Sequence, residues 1–142
     1  MIGKYSAKVD EKGRLFVPAK LRQELGEVFY VTVGFHGSRR CLTAYTKAGW
    51  DDLSQKYNAM SLAQKSGPIG FIFSNAVECV PDKQFRFLLS GNLFQYAGIQ
   101  RDVIIVGQAG QAEIWDAAAY TAFEQDMLTP ENLLASLEAI GL

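Results

Sequence analysis

Basic side chains crowd one short stretch of the chain. In DEKGRLFVPAKLR, residues 10–22, Lys12, Arg14, Lys20 and Arg22 follow one another, with Lys8 just upstream and only Asp10 and Glu11 among them. Arginine carries a planar fork of donors that grips a phosphate or the O6/N7 edge of guanine with two hydrogen bonds. Held on a short turn, it loses less freedom on binding than it would on a floppy tail. Asp10 can pin that turn by accepting from backbone N–H groups or from Arg14. Two alternatives therefore stand side by side. The cations meet a polyanion, or Asp10 and Arg14 form a structural ion pair on a solvated face.

The same wording returns seventy-two positions later as DKQFRFLLSGNLF, residues 82–94. Asp10 matches Asp82, Lys12 matches Gln84 and Arg14 matches Arg86. Leu15, Phe16 and Val17 match Phe87, Leu88 and Leu89. Farther on, Leu21 matches Leu93, Gly26 matches Gly98 and Val31 matches Val103. After a small change in loop length, Tyr45 and Trp50 meet Trp115 and Tyr120. Agreement of turns, helix stops and hairpins over some forty residues marks an internal repeat.

The second copy departs from the first. Phe85 replaces Gly13, Ser90 replaces Pro18, and Phe94 replaces Arg22, while Gln95 keeps the Gln23 beside it. A phenylalanine where the turn favours φ > 0 is strained, so the second turn is expected to take another shape. Asp82 and Arg86 recur with their spacing, so the aspartates and Gly13 read as turn framework. Lys12, Gly13 and Arg22 read as specialisations of the first copy.

Composition narrows the chemistry. An apolar content of 49% with 20% charged residues describes a globular chain rather than a disordered one. No apolar run approaches the ~20 residues that span a bilayer, and the N-terminal MIGKYSAKVDEKGR lacks the apolar centre of a signal peptide, so the expected location is the cytoplasm. His36 is the only histidine and reads as a turn residue; Cys41 and Cys79 lack metal-ligand spacing and read as buried reduced thiols. No metal, cofactor, small-molecule substrate or enzymatic activity is expected. The net charge of −1 hides an asymmetry. Residues 1–50 hold nine Lys/Arg against four acids, +5, and the remainder holds five against eleven, −6. A basic half suits a polyanion-facing surface.

The elements that must hold these residues are short. Strands are expected over 5–9, 14–17, 29–35 and 41–45, and again over 76–80, 86–89, 102–107 and 111–115, with DEKG and PDKQ as turns. Pro18 suits the first position of a helix that stops at Gly26, and Ser90 suits the cap of one that stops at Gly98. Helical spacing covers 47–57 and 117–126; Gly67, Pro68 and Gly70 break a helix over 61–73. Thr129, Pro130 and Glu131 open a last helix with apolar Leu133, Leu134, Leu137 and Ile140. The boundaries implied are a first repeat over 5–47, a helical connector over 48–75, a second repeat over 76–119 and a helical tail over 120–142. One unit alone would leave a sheet face bare, whereas two facing each other bury both, giving a pseudo-twofold barrel with helices outside.

VDEKGRLFVPAKLRQELG resembles the AbrB/SpoVT-type DNA-binding signature. The tandem order, and NAVECVPDKQFRFLLSGNLFQYAGIQRDVIIVGQAGQAEIWD in the second half, are similar to the MraZ family over roughly residues 1–125. The resemblance implies an α+β, mainly β fold in which two swapped-hairpin repeats form one β-barrel with peripheral helices. It implies a regulator of cell-division and cell-wall genes, cytoplasmic and nucleoid-associated, that binds double-stranded DNA at repeated operator sites as a ring-like homo-oligomer. Carried across position by position, the DNA-facing residues are Arg14 and Arg22, with Lys8, Lys12 and Lys20 beside them, then Arg86 with Lys83. Where the family tends to carry basic residues before the second repeat, this chain has GPIGFIFSNA. The alternative is a structural or protein-interaction oligomer that has lost specific DNA binding.

Overall fold

The computed structural model describes residues 1–142. Chain order begins with strands β1 (Lys4–Lys8) and β2 (Arg14–Phe16), then a 3-10 turn (Ala19–Leu21) and helix α1 (Arg22–Leu25). The hairpin β3 (Phe29–His36) and β4 (Arg39–Thr46) completes the first repeat. Helices α2 (Lys47–Asn58), α3 (Leu62–Lys65) and α4 (Gly70–Ser74) lead to the second, made of β5 (Val77–Cys79), β6 (Arg86–Leu88), α5 (Gly91–Ala97), β7 (Asp102–Gln108) and β8 (Gln111–Asp116). Helices α6 (Ala117–Met127) and α7 (Pro130–Ala139) close the chain. No helix is long and apolar enough to cross a membrane.

The two repeats exchange strands. β1 pairs with β7 of the second repeat, and β5 pairs with β3 of the first. β2 and β6 pair with each other as a separate two-stranded ribbon. The remaining hairpins join through β4 and β8, so the main sheet runs β1-β7-β8-β4-β3-β5, antiparallel throughout. Hydrogen bonding leaves β1 and β5 as its edges rather than closing a barrel.

The ribbon lies across a pseudo-twofold axis. Leu15 faces its own counterpart Phe87, while Arg14 faces Leu88 and Phe16 faces Arg86. A second symmetric pair, Thr43 opposite Glu113, lies between β4 and β8. Register also corrects one equivalence. Ala7 faces Val103 and its counterpart Cys79 faces Phe29, so Val103 stands where Phe29 does and Ile105 stands where Val31 does. Two extra residues ahead of β7, offset by a shorter second hairpin, shift the match.

One core serves both repeats. Leu15, Leu21, Phe29, Val31, Leu42, Phe87, Leu93, Val103 and Ile114 are all buried in a single cluster. Phe29 of one repeat meets Phe87 of the other edge-on, 5.1 Å between ring centres. The helices follow their caps. Ser90 accepts from the Leu93 N–H and opens a regular helix. Pro18 offers no side-chain acceptor, and a 3-10 turn stands where a helix continuous from Pro18 was expected. His36 is likewise not a turn residue. It ends β3 opposite Arg39, because its Nε2 lies 2.6 Å from Glu113 Oε2 and its ring stacks on Trp115.

Candidate nucleic-acid interface

Each repeat builds the same turn ahead of the ribbon. Asp10 Oδ1 accepts from the backbone N–H groups of Lys12 (2.9 Å) and Arg14 (2.8 Å), and its Oδ2 accepts from Arg14 Nε at 2.7 Å. The Asp10 N–H closes the turn on the Arg14 carbonyl at 2.9 Å. Asp82 repeats the set with Gln84, Arg86 and Arg86 Nε, each at 2.9 Å. The backbone N–H of the arginine, then its side chain and the N–H two residues on, hold both carboxyls below the ordinary aspartate value. The second turn is therefore not reshaped. Phe85 takes φ 61° where Gly13 takes φ 79°, because the aspartate lattice fixes the backbone and the Val17 N–H bonds the Phe85 carbonyl at 2.8 Å.

Of the two alternatives for the arginines, the structure shows the ion pair at both turns, and it leaves part of each guanidinium unengaged. The ion pair occupies only Nε of Arg14 and Arg86; the terminal nitrogens of both have no partner within the chain. Strand alternation turns Leu15 and Phe87 inward and puts Arg14, Phe16, Arg86 and Leu88 on the outer face. The two arginines are diagonal neighbours across the axis. Phe16 (53% exposed) and Leu88 (58% exposed) flank them as apolar surface that the core does not use.

The other expected cations divide. Lys12 and Lys83 sit exposed on the two turns without an acidic partner, one lysine to each. Lys20, exposed on the 3-10 turn, shares a shallow groove with Phe16 and β1. Arg22 on α1 donates from Nε to the Val17 carbonyl at 3.0 Å and lays its guanidinium over the Phe85 ring at 3.9 Å. Lys8 faces Asp102 across β1 and β7, at 3.9 Å, so part of its charge is answered there. Arg39 and Arg40, counted in the basic half, are engaged elsewhere. Arg39 pairs with Asp126 at 2.7 Å and Arg40 packs on Tyr96.

Phe16 and Leu88 were absent from the sequence-based site. Their signal was present, since each lies two residues from its arginine on a strand of period two. Cys41 and Cys79 are free and buried, and burial pushes both thiols up to about 12. His36, Cys41 and Glu113 approach one another within 4.8 Å, but both Glu113 oxygens are already hydrogen-bonded, to His36 and to Trp115 Nε1.

Known proteins align with both halves of the chain. A family model described as "MraZ protein, putative antitoxin-like" matches residues 1–67 and 72–137. Curated relatives bear the description "Transcriptional regulator MraZ". That of Heliobacterium modesticaldum is 37% identical over 126 residues, 87% of this chain and 86% of the relative. That of Caldicellulosiruptor bescii is 36% identical over 145 residues, 100% of this chain and 99% of the relative. That of Symbiobacterium thermophilum is 39% identical over 127 residues, 88% and 90% respectively.

Proposed function

The chain belongs to the MraZ family, and on that premise we propose that it is a DNA-binding transcriptional regulator that reads duplex DNA with the β2–β6 ribbon. One observation carries this: a two-stranded ribbon on the pseudo-twofold axis presents Arg14 and Arg86 with their terminal nitrogens free. A two-stranded ribbon fits the major groove, arginine suits guanine O6/N7, and an apolar side chain such as Phe16 or Leu88 suits the thymine methyl. Lys12, Lys83, Lys20 and Arg22 flank the ribbon as phosphate contacts, which position the protein without specifying sequence. Exchange of strands between the repeats supports assignment of the fold to the swapped-hairpin barrels.

By family, the operators are repeated sites upstream of cell-division and cell-wall genes, bound by a homo-oligomeric ring on the nucleoid in the cytoplasm. Repetition of sites and subunits multiplies a modest single-site affinity. A second reading, an interaction oligomer without specific DNA binding, draws on α7. That helix has no buried residue and leaves Leu133, Leu134, Leu137 and Ile140 exposed.

Fluorescence anisotropy on DNA from the gene's own upstream region, at two salt concentrations, separates the readings. Four phosphate contacts per chain, from Lys12, Lys20, Arg22 and Lys83, correspond to a log–log salt slope of about −4. Lys12→Ala is expected to flatten the slope by about 0.9, whereas Arg14→Ala and Arg86→Ala are each expected to weaken binding by about 1–3 kcal/mol and relax sequence preference. Binding unchanged by either arginine substitution overturns the ribbon assignment. No binding to any DNA at low salt favours the interaction oligomer.

A further inference from the structure

Phe85 stands where a side chain is disfavoured. Its φ of 61° lies in the left-handed region, and the matching position of the first repeat is glycine. Core burial does not explain the residue, because it is 45% exposed. What the ring touches is Arg22 of the other repeat, whose guanidinium carbon lies 3.9 Å from the ring centre. The contacts close a loop. Val17 donates its N–H to the Phe85 carbonyl, Arg22 Nε donates to the Val17 carbonyl, and the Arg22 fork lies on the Phe85 ring. Nε and one face of the guanidinium are thereby fixed, while its terminal nitrogens have no partner in the chain. Arg22 and Phe85 together line a groove of about 520 Å³ between α1 and the second turn, and Lys83 is also in its lining.

We infer that Phe85 is a positioning residue for DNA recognition. It is the platform on which the second repeat holds the first repeat's Arg22 in one orientation before DNA arrives. This rests on the reading that Arg22 meets DNA. The second repeat has Phe94 in place of its own arginine at the equivalent position, and it contributes instead by ordering the one that remains. A stacked, hydrogen-bonded guanidinium loses less rotamer freedom on binding than a free one. Backbone strain at Phe85 is the structural cost of that order, and such strain clusters where function needs it.

The test is Phe85→Gly, which removes the ring and suits the backbone. A residue kept for folding would lower the melting temperature when replaced, whereas this variant is expected to melt at the same temperature or higher. DNA affinity is expected to fall about two- to fivefold, the range of an exposed cation–π contact. Arg22→Ala is then expected to cost less in the Phe85→Gly background than in the wild type, and Phe85→Trp is expected to restore affinity. A readout without DNA accompanies these: 15N relaxation of the Arg22 Nε–H, rigid in the wild type and in Phe85→Trp, mobile in Phe85→Gly. Unchanged Nε–H order in Phe85→Gly, or binding losses of the two substitutions that simply add, overturns the platform. A wild-type chain that binds no DNA but whose Nε–H order still depends on Phe85 overturns the DNA reading and leaves the platform in place.

Discussion

Asp10 and Asp82 show how one carboxylate can orient an arginine and leave most of its fork free. Each spends one oxygen on two backbone N–H groups and the other on an arginine Nε, so the arginine is aimed while its outer nitrogens stay free. Both carboxyls are held below the ordinary value of 3.8, first by the arginine backbone N–H, so they stabilise the fold above that pH. That stabilisation drains away as pH falls through the lower folded value. Thermal unfolding followed from pH 6 to pH 2 should therefore lose stability below about pH 4, and Asp10→Asn with Asp82→Asn should flatten that loss. The buried thiols carry the opposite sign. With Cys41 and Cys79 raised from 9.0 to about 12, their contribution is present below pH 9 and is lost as pH rises toward 12. At pH 8 the native protein should resist a disulfide thiol reagent until urea unfolds it, and rapid labelling of native protein would contradict their burial.

At the scale of elements, the ribbon is the short element on which the proposed interface depends. β2 and β6 have three residues each, and Leu15 and Phe87 are the inward pair that anchors them. Leu15→Ala is expected to cost about 2–5 kcal/mol, the range for emptying a fully buried leucine site, measured by urea denaturation. Because Leu15 sits on the axis, both turns should lose their order together, visible in the amides of Lys12 and Gln84. Much of this element was legible in the sequence. The Asp–Arg spacing, the alternation in RLF and RFL, and the stops at Gly26 and Gly98 are local signals read by local rules. That the two units face each other about a pseudo-twofold axis followed from the repeat, but the pairing of β2 with β6 across it did not. What escaped was decided by tertiary contact. Phe85 keeps a glycine's conformation because Asp82 and Val17 hold its backbone, and no property of the QFR triplet announces that. His36 belongs to a strand because Glu113, distant in sequence, receives it. The equivalence of Val31 slipped by two residues because strand register depends on the length of the loop ahead of β7, which sequence identity at a single valine does not report.

The molecule as a whole is polar in charge along its chain. Residues 117–142 contain Glu124, Asp126, Glu131 and Glu138 and no lysine or arginine, while the ribbon and its turns gather the cations. The junction is fastened by Lys4 to Glu124 at 2.8 Å and Arg39 to Asp126 at 2.7 Å, both to α6. Helix α7 buries none of its residues. Deleting residues 129–142 should therefore leave the melting temperature within a degree or two, about what loss of exposed surface costs. If subunits assemble through that apolar face, sedimentation velocity should show a smaller species for the truncated chain at equal concentration. A steep drop in melting temperature would instead place α7 within the fold of its own subunit.

Exchange of strands between two repeats has a consequence for dosage. A ribbon assembled from two separate polypeptides would come apart on dilution, since its halves would meet only as often as their numbers allowed. Here α2, α3 and α4 tie the halves into one polypeptide, and such a tether holds its ends at an effective concentration of order millimolar. The ribbon is complete in a single copy at any expression level. Scarcity would thin out the proposed array of subunits on DNA, but it does not dismantle the ribbon proposed to touch it.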